Sequence, residues 1–182
     1  MIIFFGPAGS GKSVQAQILA ARQGWRWLSA GQLLRDSRDP QLLQQMAEGQ
    51  LADNDKVNAI MADALKRADG IDRVIIDGFP RELSQAQWLV DSQPEHGRSI
   101  SLVIVLEVPR DELLQRMQIR GRADDNAEAI DERLAIYEEE INPILAYLGQ
   151  QNIAITHVDG QGTVGQVHDR VMEAVTQNTL SA

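Results

Sequence analysis

Gly6-Pro7-Ala8-Gly9-Ser10-Gly11-Lys12-Ser13 gathers glycines, a lysine and a hydroxyl into one short stretch. The stretch matches G-x-x-x-x-G-K-[ST] at every fixed position. Glycines let the backbone wrap closely round a phosphate with its N–H groups turned inward. A helix after the loop adds unpaired N–H groups and the positive end of its dipole. Lys12 has the reach to meet β- and γ-phosphates, and the Ser13 hydroxyl suits the shell of a magnesium ion. A glycine-rich turn that only joins a strand to a helix needs neither the lysine nor the serine. The stretch therefore predicts binding of a nucleoside triphosphate, and by itself leaves switch, motor and kinase open.

Asp77 ends the apolar run Val74-Ile75-Ile76, where phosphate-loop proteins carry a magnesium-side carboxylate. An aspartate that merely starts the turn into Gly78 is the plain alternative. The cations are unusual in kind, with three lysines against fourteen arginines. Arginine's planar, permanently charged fork suits phosphate and carboxylate. The net charge of -9 argues against a general nucleic-acid binder, which wants a basic face. The chain has no cysteine, which excludes disulfide scaffolds, cysteine–zinc sites, iron–sulfur clusters and thiol nucleophiles. His96, His157 and His168 lie far apart without metal-type spacing, so they read as surface or structural, and no zinc is expected.

The elements that must position these groups alternate. Short apolar runs at 2–5, 25–28, 73–77, 102–106 and 153–158 read as strands. Amphipathic stretches at 14–22, 56–67, 85–90, 112–120 and 164–175 read as helices. Leu33 and Leu34, then Leu42, Leu43 and Met46, suggest two short helices with Pro40 between them. Asp125 with Glu128 resembles a capping box ahead of a helix carrying Ile130, Leu134, Tyr137, Ile141 and Leu148 on one face. Pro143 inside that helix should kink or interrupt it. Continuous apolar strands alternating with helices are the pattern of a parallel sheet covered on both faces. With 182 residues, 43% hydrophobic and 24% charged, one domain is expected. No apolar run approaches the roughly 18 residues of a membrane span. Met1 leads directly into the first strand with no signal or transit segment ahead, so the cytosol is the expected compartment.

Asp77-Gly78-Phe79-Pro80-Arg81, with Gln85 four residues on, is more specific. Here the sequence resembles the adenylate kinases and their nucleoside monophosphate kinase relatives, and the resemblance runs over nearly the whole chain. Ser29-Ala30-Gly31-Gln32-Leu33-Leu34-Arg35 looks like the family's S-[TA]-G-D-x-L-R segment. Glu48-Gly49-Gln50-Leu51-Ala52 looks like its G-x-L-V segment. Arg116, Arg120, Arg122-Ala123-Asp124-Asp125 and Arg133-Leu134 look like its arginine series, and Val158-Asp159-Gly160 like its last strand and turn. The chemistry agrees, because transfer between two nucleotides brings several negative charges into one cleft and demands neutralisation and positioning more than covalent work. Arg116 and Arg120, four apart, share a helix face.

The resemblance implies a three-layer αβα phosphate-loop fold with a parallel five-stranded sheet of order 2-3-1-4-5. It implies a core of residues 1–29 and 58–182, and a small helical arm of 30–57 for the monophosphate. Gly9, Ser10, Gly11, Lys12, Ser13 and Val14 would hold the ATP phosphates. Arg116 would pack on the ATP base, Arg120 would hold its phosphates, and Gly162 would offer backbone to its adenine. Ala30, Arg35, Gln50, Leu51, Ala52, Gly78, Phe79, Pro80, Arg81 and Gln85 would form the AMP site, with Arg122 and Arg133 bridging toward the transferred group. Lys12, Arg81, Arg120, Arg122 and Arg133 form the expected catalytic set. Ser13 and Asp77 are the expected magnesium side, partly through water. The expected reaction is reversible transfer from Mg-ATP to AMP by a monomer, with no nucleic-acid or membrane partner.

The sequence departs from the family where only Gly121 separates Arg120 from Arg122, so the usual lid is reduced to about 120–122. The segment between Arg35 and Gly49 is trimmed. Ser13-Val14 stands for the usual Gly-Thr, and Gln32 for an aspartate. Ala30 is the choice of UMP/CMP kinases, whereas Gln85 is that of adenylate kinases; an amide offers adenine one donor and one acceptor. Rival readings are a UMP/CMP-type kinase and a nucleotide-binding protein with weak or no kinase activity. A GTP switch would need an N-K-x-D segment, which is missing.

Overall fold

The computed structural model describes residues 1–71, 73–121 and 127–180. Arg122 and the Asp125 end of the expected capping box lie outside them. Five strands form one parallel sheet: β1 (Ile2–Phe5), β2 (Arg26–Ser29), β3 (Val74–Asp77), β4 (Leu102–Glu107) and β5 (Ala154–Asp159). Their order is β2-β3-β1-β4-β5, as expected from the family resemblance.

The helices are α1 (Lys12–Gln23), α2 (Ala30–Ser37), α3 (Pro40–Ala47), α4 (Asn54–Arg67), α5 (Leu83–Asp91), α6 (Gln93–His96), α7 (Arg110–Arg120), α8 (Ala127–Gln150) and α9 (Val164–Leu180). Local chemistry sets several of their ends. Ser29 Oγ accepts from Gln32 N at the start of α2. Asp39 accepts from Gln41 N and Leu42 N at the start of α3, with Pro40 at its first position. Asp53 caps α4 through Lys56 N. Gly24 and Gly121, both left-handed, end α1 and α7.

The central strands β1, β3 and β4 are buried apolar runs because both faces of the sheet are covered there, while the outer strands β2 (RWLS) and β5 (AITHVD) carry polar residues. Ile2 and Phe4 face Ala16 and Leu19 of α1 and Val171 and Ala174 of α9, with Ile75, Leu102 and Ile104 in the same layer. Ile3, Phe5 and Ile76 face the other way, against Leu65 of α4, Leu89 of α5 and Ile144 and Leu148 of α8. Each such side chain, fully buried, contributes about 1.5–3 kcal/mol relative to exposure.

Of the kink or interruption expected at Pro143, the interruption needs correction. Pro143 does not interrupt α8, which runs continuously from Ala127 to Gln150. Proline removes one backbone donor and crowds the preceding turn. Ile130 and Leu134 before it, and Ile144 and Leu148 after it, are all buried, so packing on both sides holds the helix together. The short α6 has no counterpart in the sequence reading, since four residues are too few for a helical period to show.

Candidate active site

The carboxyl ends of the parallel strands point to one edge of the sheet, and the loops leaving them build the site. β1 turns at Gly6 into the phosphate loop. Gly9 and Gly11 have φ of 84° and 89°, a backbone region that other residues rarely adopt. A Cβ on Gly9 would sit 3.0 Å from Leu113 O, so the loop is pressed directly against α7. Ser10 N donates to Pro7 O at 3.2 Å and Lys12 Nζ donates to the same carbonyl at 3.3 Å.

Two cavities meet along this loop. The first, about 830 Å³, is walled by Lys12 and Ser13 of α1, Asp77 at the end of β3, and arginines from four separate segments. These are Arg35 of α2, Arg81 after β3, Arg120 of α7 and Arg133 of α8. The second, about 920 Å³, lies on the other side of the loop. Its walls are residues 9–15, Arg116, Arg120, Gly160, Gly162 and the first turn of α9 at Val164 and Val167. Lys12, Ser13 and Arg120 border both. The shared face expected for Arg116 and Arg120 is therefore the face turned to the second cavity.

The arginines are held by specific contacts. Arg116 donates to Ser10 O at 3.3 Å, to Gly160 O at 2.9 Å and to the Glu112 carboxylate. It thereby ties the phosphate loop to the turn after β5. Arg133 donates to Met46 O at 3.0 Å, Arg81 Nε to Gly78 O at 3.1 Å, and Arg35 to Gln32 Oε1 at 3.4 Å.

Asp77 is 1% exposed, and neither carboxylate oxygen has a hydrogen-bond partner. A buried carboxylate without donors is costly unless a cation or its water shell completes it. With Ser13 on the same cavity, the donor set is all oxygen, which fits magnesium. Among the described residues no cluster of three or more His, Cys, Asp or Glu forms a metal cage. No helix of the described residues is long and apolar enough to cross a membrane.

The remaining expected residues separate into wall and core. Gln50 borders the first cavity. Leu51 and Pro80 line a third, more apolar pocket of about 630 Å³ against Tyr137 and Ile141 of α8. Burial, and then the Glu107 carboxylate, push the Tyr137 hydroxyl up to about 12, so it stays neutral. Burial, then Glu82 and Glu139, raise the pKa of Glu140, also on that pocket. Val14 is exposed at the rim of the second cavity. Ala30 and Phe79 are buried, Phe79 edge-on to Trp88 with ring centroids 5.9 Å apart, so their side chains belong to the core. Ala52 packs against the same core.

Gln85 is 2% exposed and both ends of its amide are engaged. Its Oε1 accepts from Arg81 N at 2.8 Å and its Nε2 donates to Asn54 Oδ1 at 2.5 Å. Since Arg81 N–H can only donate, the amide's polarity is fixed, with one further donor and one further acceptor site left on it. Sequence reasoning missed Asn54, because nothing in its neighbourhood announces a contact 31 residues away. It also missed Val164 and Val167, which only the approach of α9 brings to the second cavity.

The adenylate kinase family model matches residues 4–153. The chain belongs to the adenylate kinase family. An adenylate kinase of Thermus thermophilus is 36% identical over 184 residues, covering 96% of both chains. One of Synechococcus is 37% identical over 176 residues, covering 93% of this chain and 95% of the relative. One of Mycolicibacterium paratuberculosis is 34% identical over 180 residues, covering 96% and 98%. The family match takes in the phosphate loop, the segment from Asp77 to Gln85, and the arginines of α7 and α8.

Proposed function

We propose that the protein catalyses reversible phosphoryl transfer from Mg-ATP to AMP, giving two ADP. The observation that carries this reading is the convergence of Arg35, Arg81, Arg120 and Arg133 on one cavity with Lys12, Ser13 and Asp77. Four cations from four segments suit the charges of two nucleotides brought end to end, and hydrolysis alone would need fewer of them. The second cavity, with Arg116, Gly162, Val164 and Val167, takes the ATP base. The first takes the monophosphate, with residues 30–57 as the arm that covers it.

Roles follow from position. Backbone N–H groups of residues 9–14 surround the ATP phosphates, and Lys12 neutralises the transferring end. Arg81 and Arg133 grip the acceptor phosphate, and Arg120 stands between donor and acceptor. Arg122, outside the described residues, completes the set in this reading. Ser13 and Asp77, partly through water, would hold magnesium. The ion, when bound, neutralises charge on the β- and γ-phosphates. No protein general base is needed, because the acceptor phosphate is already an anionic nucleophile. Gln85 offers adenine its remaining donor and acceptor. The UMP/CMP alternative rests on Ala30, whose methyl is buried in the core, and is not favoured.

The test is ADP formation from ATP with AMP, UMP, CMP, GMP and dAMP supplied in turn. AMP should be strongly preferred. A preference for UMP or CMP would overturn the assignment of the acceptor. The protein is read as a cytosolic monomer, which sedimentation checks.

A further inference from the structure

Between α1 and α9 lies a buried polar pair that phosphoryl transfer does not use. Gln15, directly behind the phosphate loop, is 2% exposed, and His168 of α9 is 3% exposed. They stand in an otherwise apolar layer with Ala16, Leu19, Val167 and Val171. Gln15 Nε2 donates to Val164 O at 3.0 Å, and His168 Nδ1 lies 3.1 Å from Gln15 Oε1.

Donor and acceptor logic fixes every proton in this chain. The Val164 carbonyl can only accept, so the amide end facing it is the NH2. The other end is then the oxygen, which also only accepts, so the imidazole hydrogen sits on Nδ1. His168 Nε2 is left as a bare lone pair, and it is buried without a partner. A second ring proton on Nε2 would find no acceptor there, so burial disfavours the charged ring. The charged groups facing it are Arg22 of α1 and Asp169 of α9. Burial, and then Arg22, hold the ring's pKa below the ordinary 6.5, with Asp169 opposing them.

The carbonyl at the end of this chain belongs to the first residue of α9. Val164, Val167 and Gln15 itself all line the second cavity. We propose that His168 is a positioning residue for ATP: acting through Gln15, it sets the first turn of α9 against the phosphate-loop helix and so fixes the apolar floor for the ATP base. The proposal rests on reading that cavity as the ATP side.

The test is titration of ATP and, separately, AMP into the unmodified protein, His168→Leu and His168→Asn by calorimetry. An asparagine amide can replace the Nδ1 donor; leucine cannot. His168→Leu should weaken ATP binding roughly three- to tenfold, the loss of one buried hydrogen bond. AMP binding should stay within about twofold, and His168→Asn should recover most of the ATP affinity. Should His168→Leu fail to fold, the asparagine variant still decides: near-normal ATP affinity supports the role, and a loss of ATP affinity as large as that of a broken hydrogen bond overturns it. Equal losses for ATP and AMP would overturn the proposal. If the unmodified protein binds ATP with these dependences but makes no ADP from AMP, the transfer reading fails and the role of His168 stands. If it binds no ATP, both fall.

Discussion

Ser29 and Asp77 are Cα partners in the parallel register of β2 and β3, and each is the last residue of its strand. The pairing brings two chain segments to the same edge of the sheet at the same height. From there Ser29 starts α2, which carries Arg35, while Asp77 leads into Gly78 and Arg81. Asp77 itself gains no hydrogen bond from this arrangement. Both of its oxygens are therefore buried without donors in the nucleotide-free protein. Asp77→Asn should raise thermal stability without nucleotide, by about 1 kcal/mol. It should lower kcat with magnesium on the order of a hundredfold. A melting curve and a steady-state assay check the two halves. A fall in stability, or an unchanged kcat, removes Asp77 from the metal side.

Lys12 lies on the wall shared by all three cavities. Its ammonium is the cation that the phosphate loop itself supplies, and the Pro7 carbonyl to which it donates also accepts from Ser10 N, so the loop keeps that bond without the lysine. Lys12→Ala should abolish turnover while circular dichroism and the melting transition stay close to those of the unmodified protein. Near-normal activity in that variant would remove the loop from the reaction.

Gln85 and Asn54 form one unit. The Arg81 N–H and the Asn54 oxygen hold the amide with a fixed polarity, and in the proposed reading its remaining donor and acceptor serve the adenine edge of AMP. Gln85→Ala should cost about 1–3 kcal/mol in AMP binding, read as a rise in KM for AMP, with KM for ATP nearly unchanged. Asn54→Leu should act in the same direction and also reduce the preference of AMP over GMP. Equal changes in both Michaelis constants would take the pair out of the acceptor site.

How much of this was legible in the sequence follows from the range of the signals. The sheet could be read because its strands, such as Val74-Ile75-Ile76 and residues 102–106, are continuous apolar runs whose period and length are local. The phosphate loop could be read because its chemistry is packed into eight neighbouring residues. Gln85 stood out as part of the family-like segment that begins at Asp77, but its partner Asn54 did not, since a hydrogen bond between helices leaves no local pattern. For the same reason His168 reads from sequence only as surface or structural, and its link through Gln15 to Val164 leaves no local pattern. The interruption expected at Pro143 does not occur, because local backbone rules weigh its missing donor and not the buried Ile144 and Leu148 that follow it.

Acid should destabilise the protein through His168. Its pKa in the folded state lies below the ordinary 6.5, so the unfolded chain binds the proton more readily. The stability linked to the neutral ring is complete above pH 6.5 and is lost as pH falls from there through the lowered folded value. Urea unfolding at pH values from 7.5 down to 5 should show this loss, and His168→Leu should flatten the curve across that window. Parallel curves for the two proteins would show that the ring titrates in the same way folded and unfolded.

The last prediction concerns the junction of α7 and α8. α7 ends at Arg120, Gly121 closes it in a left-handed conformation with φ of 58°, and α8 begins at Ala127. Residues 122–126 join Gly121 to α8. Arg120 is presented by a helix, and a lid reduced to about 120–122, as the family resemblance implies, would leave the ATP side open to water. Water then competes with AMP as acceptor. The protein should hydrolyse ATP slowly without AMP, and this rate should vanish in Lys12→Ala. AMP should suppress phosphate release while ADP formation rises, because the better nucleophile fills the same position. A second copy covering the site would give the opposite result, with hydrolysis falling as protein concentration rises and sedimentation showing a dimer. Tight ATP binding by a monomer with no phosphate release in the absence of AMP would mean that the short bridge shields the transferring group by itself.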